Sequence, residues 1–275
     1  MKHLILCVLF SLSMNLLKAQ TQKVDYSIFY NFTYITDTTQ NTYSNAEQYI
    51  LFKHQNTSRF LNANAHHNDS LEYVLLDKFR YMADKEKSAN AYMQAVGKEK
   101  KKRISDLRLL KDFEKGQAKI VLYNSHRVKC LMTSLQLKWN LENETKKISG
   151  LNCLKATTTY GGRDYIAWYT TEIPITDGPY VFNGLPGLII KVVDSQKWYK
   201  FELISMNLAP SMRYIHPEFI REKYLQQINR KTYVAYSTAE KDDPKSPFGL
   251  STLTGEQIIR MKEIFSKRFD LILEQ

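Results

Sequence analysis

The sequence predicts an α+β fold that is mainly antiparallel β: one extended sheet, curved like a half-barrel, with helices across one face. Three observations carry this expectation. Val24, Tyr26, Ile28, Tyr30, Phe32 and Tyr34 occupy successive alternate positions, opposite Asp25, Ser27, Asn31 and Thr33, which is the period of a strand with one apolar face. Between about residues 118 and 207, strand-like segments follow one another with short links, so antiparallel meander pairing is the economical topology. In the tail, Ile258, Met261, Phe265, Phe269 and Ile272 recur at spacings of three and four. Such a stripe suits a helix lying across a sheet.

Residues 1–20 read as a cleaved signal peptide and 21–275 as a single domain. Lys2 supplies a positive start, Leu4 to Leu17 is predominantly apolar, and Leu17-Lys18-Ala19 precedes Gln20 as a small-residue cleavage site. Cys7 lies inside the apolar stretch, too early for lipid attachment, and no later segment offers about twenty apolar residues. The expected location is the periplasm or an outer-membrane-associated state, not a transmembrane one.

After the first strand, shorter candidates fall at 47–54 and 58–63. The period then changes, and Leu71, Val74, Leu75, Lys78, Phe79 and Met82 follow helical spacing, with Asp69 or Ser70 as N-cap. Residues 83–116 are polar and without clear period, and read as a basic insertion between elements. Strands are expected at 118–124, 133–141, 147–159, 164–172, 188–194 and 197–207, with turns at Asn143-Glu144 and Asp194-Ser195-Gln196. A helix is expected from His216-Pro217-Glu218 to about Asn229. Asp242 to Pro247 reads as a loop, and Thr254 with Gln257 as a capping box for the last helix.

The net charge is +11, of which Lys2 and Lys18 account for two. Much of the excess sits in Lys98, Lys100, Lys101, Lys102 and Arg103. Export and the lack of any recognition motif argue against nucleic acid. An anionic membrane surface fits the cluster better, and a solvated basic face is the plainer account. Two cysteines remain past residue 20, Cys130 and Cys153. An oxidising compartment invites a bond. However, pairing about a turn at Glu142–Thr145 sets Cys153 opposite the region of Leu135, about 17 Å along the strand from Cys130. A bridge and two buried thiols both stay open.

Catalytic signatures are absent: no Gly-x-Ser-x-Gly elbow, no phosphate-cradling loop, no His-Glu-x-x-His. His66-His67 reads as part of an exposed polar loop, because neighbours on an extended chain point opposite ways. No metal site or cofactor is expected. Cys153 lacks a local histidine partner and reads as a core thiol. Arg163, Trp168 and Tyr169 form the candidate binding constellation. Trp168 and Tyr169 point to opposite faces of one strand, so one face is available as a binding surface, with Arg163 as an anion anchor near the strand's start. Packing of Trp168 beneath helices is the plainer account.

Residues 178–190 read Gly-Pro-Tyr-Val-Phe-Asn-Gly-Leu-Pro-Gly-Leu-Ile-Ile. Leu185-Pro186-Gly187-Leu188 fits a type II turn, with proline fixing φ and Gly187 supplying φ > 0. Leu188-Ile189-Ile190, continuing through Val192 and Val193, has the content of a buried strand. Gly178, Pro179, Gly184, Leu185, Pro186 and Gly187 are therefore assigned to structure before function. The segment resembles the signature of the GLPGLI family of exported bacterial proteins. That resemblance extends from about Trp139 to Phe201 through Trp139-Asn140-Leu141, Lys147-Ile148-Ser149-Gly150, Cys153-Leu154-Lys155-Ala156, Gly162-Arg163, Ala167-Trp168-Tyr169-Thr170, Ile173-Pro174-Ile175 and Gly178-Pro179. Leu151 stands where the family more usually has an aromatic residue.

The resemblance implies a bacterial envelope protein whose family has no established activity. It implies a TonB-dependent outer-membrane receptor or another envelope protein as partner. Asp37-Thr38-Thr39 and Asp69-Ser70-Leu71 resemble O-glycan acceptor motifs of the bacteria in which the family occurs. A curved antiparallel sheet offers an apolar concavity, so the expected function is a non-enzymatic binding or carrier module for an apolar ligand, lipid or peptide. The alternative is an exported hydrolase, marked by carboxylates or a His–carboxylate pair converging in a cleft.

Overall fold

The computed structural model describes residues 21–35, 45–79, 85–102, 107–123, 128–208, 213–215 and 225–228. In chain order its strands are β1 (Thr21–Lys23), β2 (Tyr26–Tyr34), β3 (Asn45–His54), β4 (Thr57–Asn62), β5 (Arg108–Asp112), β6 (Gln117–Tyr123) and β7 (Val128–Ser134). They continue with β8 (Asn140–Ile148), β9 (Leu151–Tyr160), β10 (Arg163–Thr170), β11 (Leu188–Asp194), β12 (Tyr199–Asn207), β13 (Arg213–Ile215) and β14 (Leu225–Ile228). Two helices, α1 (Ala63–Phe79) and α2 (Lys85–Glu99), lie between β4 and β5. Twelve strands form one sheet in the order β14-β7-β6-β5-β4-β3-β2-β12-β11-β10-β9-β8, while β1 pairs with β13. Every pair is antiparallel except β14 with β7.

Chain connectivity forces the sheet to curl. β7 and β8 are ten steps apart in the strand order, about 48 Å across a flat sheet. Residues 135–139 join them, and that link reaches about 20 Å when fully extended. The two flanks therefore approach each other without closing into a barrel. Thr133 Oγ1 on β7 lies 3.2 Å from the Tyr160 hydroxyl on β9. The inner face carries the main core, including Tyr30, Tyr49, Leu51, Phe60, Leu109 and Ala118. The outer face has a smaller cluster of Val24, Ile50, Phe52 and Leu61, beside which α1 packs on β3 and β4, with α2 against α1.

Several local expectations change. Helix α1 begins at Ala63, not near Asp69, because the Asn62 side chain accepts from the amides of Asn64 (2.9 Å) and Ala65 (3.1 Å) and so caps it. His66 and His67 are thus helical, and the His66 ring packs on Phe52 with centroids 5.0 Å apart. Part of the segment read as an unstructured basic insertion forms α2 and β5. The turn expected at Asn143-Glu144 lies inside β8. There Lys155 pairs with Glu142 (3.0 Å) and Glu144 (2.8 Å), and a register shift absorbs the extra residues. The chain reverses instead at Ser149-Gly150, with φ values of 51° and 83°, as a two-residue hairpin requires. The strand expected over 133–141 is split between β7 and β8. In place of the helix running to Asn229, Leu225–Ile228 pairs with Val128–Leu131, completing the edge of β7. Cys130 and Cys153 are free and buried, one on each flank. Residues 1–20, which read as a signal peptide, together with Thr38, Arg103 and the 254–272 stripe, lie outside the described residues.

Candidate functional site on the concave face

The concavity is not open along its whole length. Residues 171–187, linking β10 to β11, fold into it and place Val181, Phe182 and Leu185 in the main core. Three kinds of backbone requirement shape this plug. Gly178 is pressed against β11: a Cβ there meets Ile189 Cβ at 2.7 Å. Gly184 has φ 85° with open space around it, so it answers to conformation and not to close approach. Gly187 has φ 154°, and a Cβ there falls 2.0 Å from the Thr170 carbonyl oxygen. The Gly187 amide donates to the Leu185 carbonyl at 2.8 Å. That bond spans two residues, so the expected type II turn is instead a γ-turn about Pro186.

Polar side chains from distant strands hold the plug. Lys111 on β5 is fully buried, and its Nζ donates to Asp177 Oδ1 (2.6 Å), the Gly178 carbonyl (2.7 Å) and the Phe182 carbonyl (3.3 Å). Asp177 also accepts from the Gly178 amide at 2.8 Å and from the Tyr26 hydroxyl at 3.3 Å. Tyr30 donates to the Ile189 carbonyl at 2.8 Å. Trp139 Nε1 donates to the Asn183 carbonyl (2.8 Å), and Asn183 Nδ2 to the carbonyls of Leu135 (3.2 Å) and Val181 (2.8 Å). Burial pushes the Lys111 amine down, and the neighbouring Asp177 charge opposes that shift. Burial, followed by the Asp177 charge, pushes the Tyr26 phenol far above its ordinary range, so it stays a donor. Lysine offers three donors, and this one directs all three at the plug.

Beside the plug the inner face is aromatic. Phe32 on β2 stacks on Phe201 of β12 with centroids 4.4 Å apart, and on Tyr34 at 5.0 Å. Tyr180, in the plug, lies parallel to Phe201 at 6.4 Å, and Tyr49 stacks on Phe60 at 5.0 Å. Phe32, Tyr160, Tyr180 and Trp198 remain half-buried. Together these rings form an apolar mouth at one end of the concavity. The alternation in β2 foretold that Phe32 and Tyr34 share a face. Their meeting with Phe201 and Tyr180 depends on strand order, which no local spacing encodes.

The three residues singled out from sequence do not meet. Arg163, Tyr165, Ala167 and Tyr169 form one row of β10, facing inward, since Tyr165 contacts Phe182 at 4.7 Å. Trp168 points outward between Lys155 and Lys191 on the neighbouring strands, with Lys146 Nζ 5.9 Å from its ring, and is buried. Tyr169 packs in the core on the opposite face, and both rings belong to the same buried cluster. Arg163 borders the aromatic mouth: its guanidinium bonds Asp194 Oδ2 (2.8 Å) and Gln196 Oε1 (2.6 Å). The same group lies 4.9 Å from the Trp198 ring and 5.1 Å from that of Tyr199. The described residues hold no cluster of three or more metal-ligating side chains, and no helix among them is long and apolar enough to cross a membrane.

A family described as a protein of unknown function (Porph_ging) matches residues 162–191, the stretch from the start of β10 through the plug into β11. No curated protein matches the chain. Among solved structures, two crystal forms of PNGF-II, in space groups C2 and P21, are similar, each with a TM-score of 0.48. Their identities are 15% and 14%, over 76% and 77% of this chain and 31% and 32% of theirs. The chain thus spans about a third of the length of those proteins.

Proposed function

We propose that the protein is an exported cell-envelope binding module of the GLPGLI type that takes an apolar ligand, or the apolar side chains of a peptide, at the aromatic mouth. The observation that carries this reading is the set of half-buried rings, Phe32, Tyr160, Tyr180 and Trp198, gathered on the concave face beside the plug. A mostly apolar concave surface with a few placed polar groups is the usual form of a small-molecule site, and Arg163 with Asp194 supplies the polar border. A TonB-dependent receptor or other envelope protein is the partner this reading calls for. Asp177, the carboxylate buried within the plug, has a side chain only 3% exposed and its oxygens serve Lys111, Tyr26 and Gly178, so its role is to hold the plug and not to meet a substrate.

The test is native mass spectrometry of protein recovered from the cell envelope, with N-phenyl-1-naphthylamine titration of delipidated protein. A co-purifying apolar species and saturable probe uptake are expected. Phe32→Ser and Tyr180→Ser should each weaken uptake about tenfold or more, since one buried apolar side chain is worth roughly 1.5–3 kcal/mol. No bound species with no saturable uptake, or full uptake by both variants, would overturn the reading.

A further inference from the structure

The basic run at the end of α2 is a presented surface. Lys98, Lys100, Lys101 and Lys102 are all exposed, yet the backbone beneath them is clamped to α1. Asn68, itself only 1% exposed, accepts from the Lys101 amide at 2.8 Å and donates to the Lys101 carbonyl at 2.9 Å. Asn64 donates to the Lys102 carbonyl at 2.8 Å, and His67 Nε2 lies 3.3 Å from the Glu99 carbonyl. The Lys100 amide closes the last helical turn on Val96 at 2.9 Å. α1 thus takes backbone groups of residues 99, 101 and 102, while the four lysine side chains reach solvent.

Capping alone does not account for this composition. Completing the helix end requires partners for its last carbonyls; His67 meets that of Glu99, and Asn64 and Asn68 hold the backbone of the two residues Lys102 and Lys101 beyond it, whatever side chains the loop bears. A cation in the last turn also complements the helix dipole, but that effect fades within the turn, so it covers Lys98 and leaves Lys101 and Lys102, past the helix end, unexplained. Setting four lysines beside a single carboxylate, Glu99, on a fixed backbone leaves an excess of like charge that opposes folding and favours a counter-charge from outside. The helical pair also sits on the outer side of the sheet, away from the aromatic mouth. We propose that residues 98–102 are a docking contact for an anionic lipid surface, which would hold the protein at a membrane while the concave face stays free. The contact is independent of what the mouth binds.

The experiment is co-sedimentation of the full chain with phosphatidylcholine vesicles, with and without about one-third phosphatidylglycerol, at low and high salt. Salt-sensitive binding to the anionic vesicles alone is expected. A Lys98→Gln, Lys101→Gln, Lys102→Gln variant should lose about a hundredfold in affinity, roughly fivefold per charge. Lys138→Gln, Lys146→Gln, Lys147→Gln removes the same charge from exposed positions elsewhere and should bind nearly as the parent does. Equal losses in the two variants would mean that net charge alone acts, and would overturn the proposal. So would no binding to anionic vesicles, or tighter binding to duplex RNA through the same three lysines.

Discussion

Gly187 is the residue at which sequence, geometry and consequence meet most directly. A side chain there faces both an unfavourable φ of 154° and the Thr170 carbonyl at 2.0 Å; relief would require moving β10 away from the plug. Gly187→Ala should cost about 2–4 kcal/mol and lower the melting temperature by roughly 5–15 °C. Gly184→Ala, strained in φ but unobstructed, should cost about 1 kcal/mol. Thermal melts of the two variants check the order, and equal shifts would remove the close approach as its cause. A second residue acts through pH. Burial first, then the charges of Arg108 and His67, push His66 down to about 4 from 6.5. The unfolded chain therefore binds more protons between those values. Stability is complete above pH 6.5 and falls as the pH drops toward 4, by up to roughly 3 kcal/mol. Urea midpoints measured across that window should slope for the parent and flatten for His66→Phe. That Gly187 needs φ > 0 was legible from the Pro-Gly pair alone. The partial burial of His66 was not, because it depends on Asn62 starting the helix early and turning the ring onto Phe52.

At the scale of elements, the plug and β5 form one mechanical unit. Lys111 is a cation in an otherwise apolar inner row, and it is tolerated there because Asp177 and two carbonyls receive it. Removing one member of a buried pair strands the other, so Lys111→Met should destabilise by about 3–5 kcal/mol. Adding Asp177→Asn to Lys111→Met should recover part of that loss, because the uncompensated charge disappears. Urea unfolding of the single and double variants gives the coupling, and strictly additive losses would mean the two groups act separately. Nothing in the sequence near Lys111 or Asp177 announces this pair, since 66 positions separate them. What local pattern did reveal was the strands whose partners are their sequence neighbours: β2 by its alternation, β9 to β11 by their apolar content. It missed β14, whose partner lies about a hundred residues earlier, and the run of β8 past Glu142–Glu144, where Lys155 takes both carboxylates and an apparent turn becomes a bulge. Charged side chains and that bulge also leave the edge of β8, unpaired among the described residues, unsuited to pairing with another strand.

At the scale of the whole molecule, two features bind the flanks of the sheet into one structure. The 135–139 link draws β7 toward β8, and the plug rests on both sides at once, on Lys111 and Tyr26 from one and on Tyr165 from the other. The alternation of apolar residues predicted a sheet with a buried face. The half-barrel curvature expected from the sequence is present, but how near the flanks come follows from which strands are joined and how short the join is, which alternation does not encode. If the flanks depend on each other in this way, neither should unfold alone. Cys130 and Cys153 report on them separately, being free, buried and placed on β7 and β9. In chains retaining only one of these thiols, disulfide-exchange labelling in rising urea should show the same midpoint for each, coincident with loss of the far-ultraviolet circular dichroism signal. Burial also pushes both thiols above their ordinary range, so labelling of the folded chain should be slow and the transition sharp. Two separated midpoints would mean that β5–β7 and β8–β11 are independent units. The plug would then be a contact between them and not the centre of a common core.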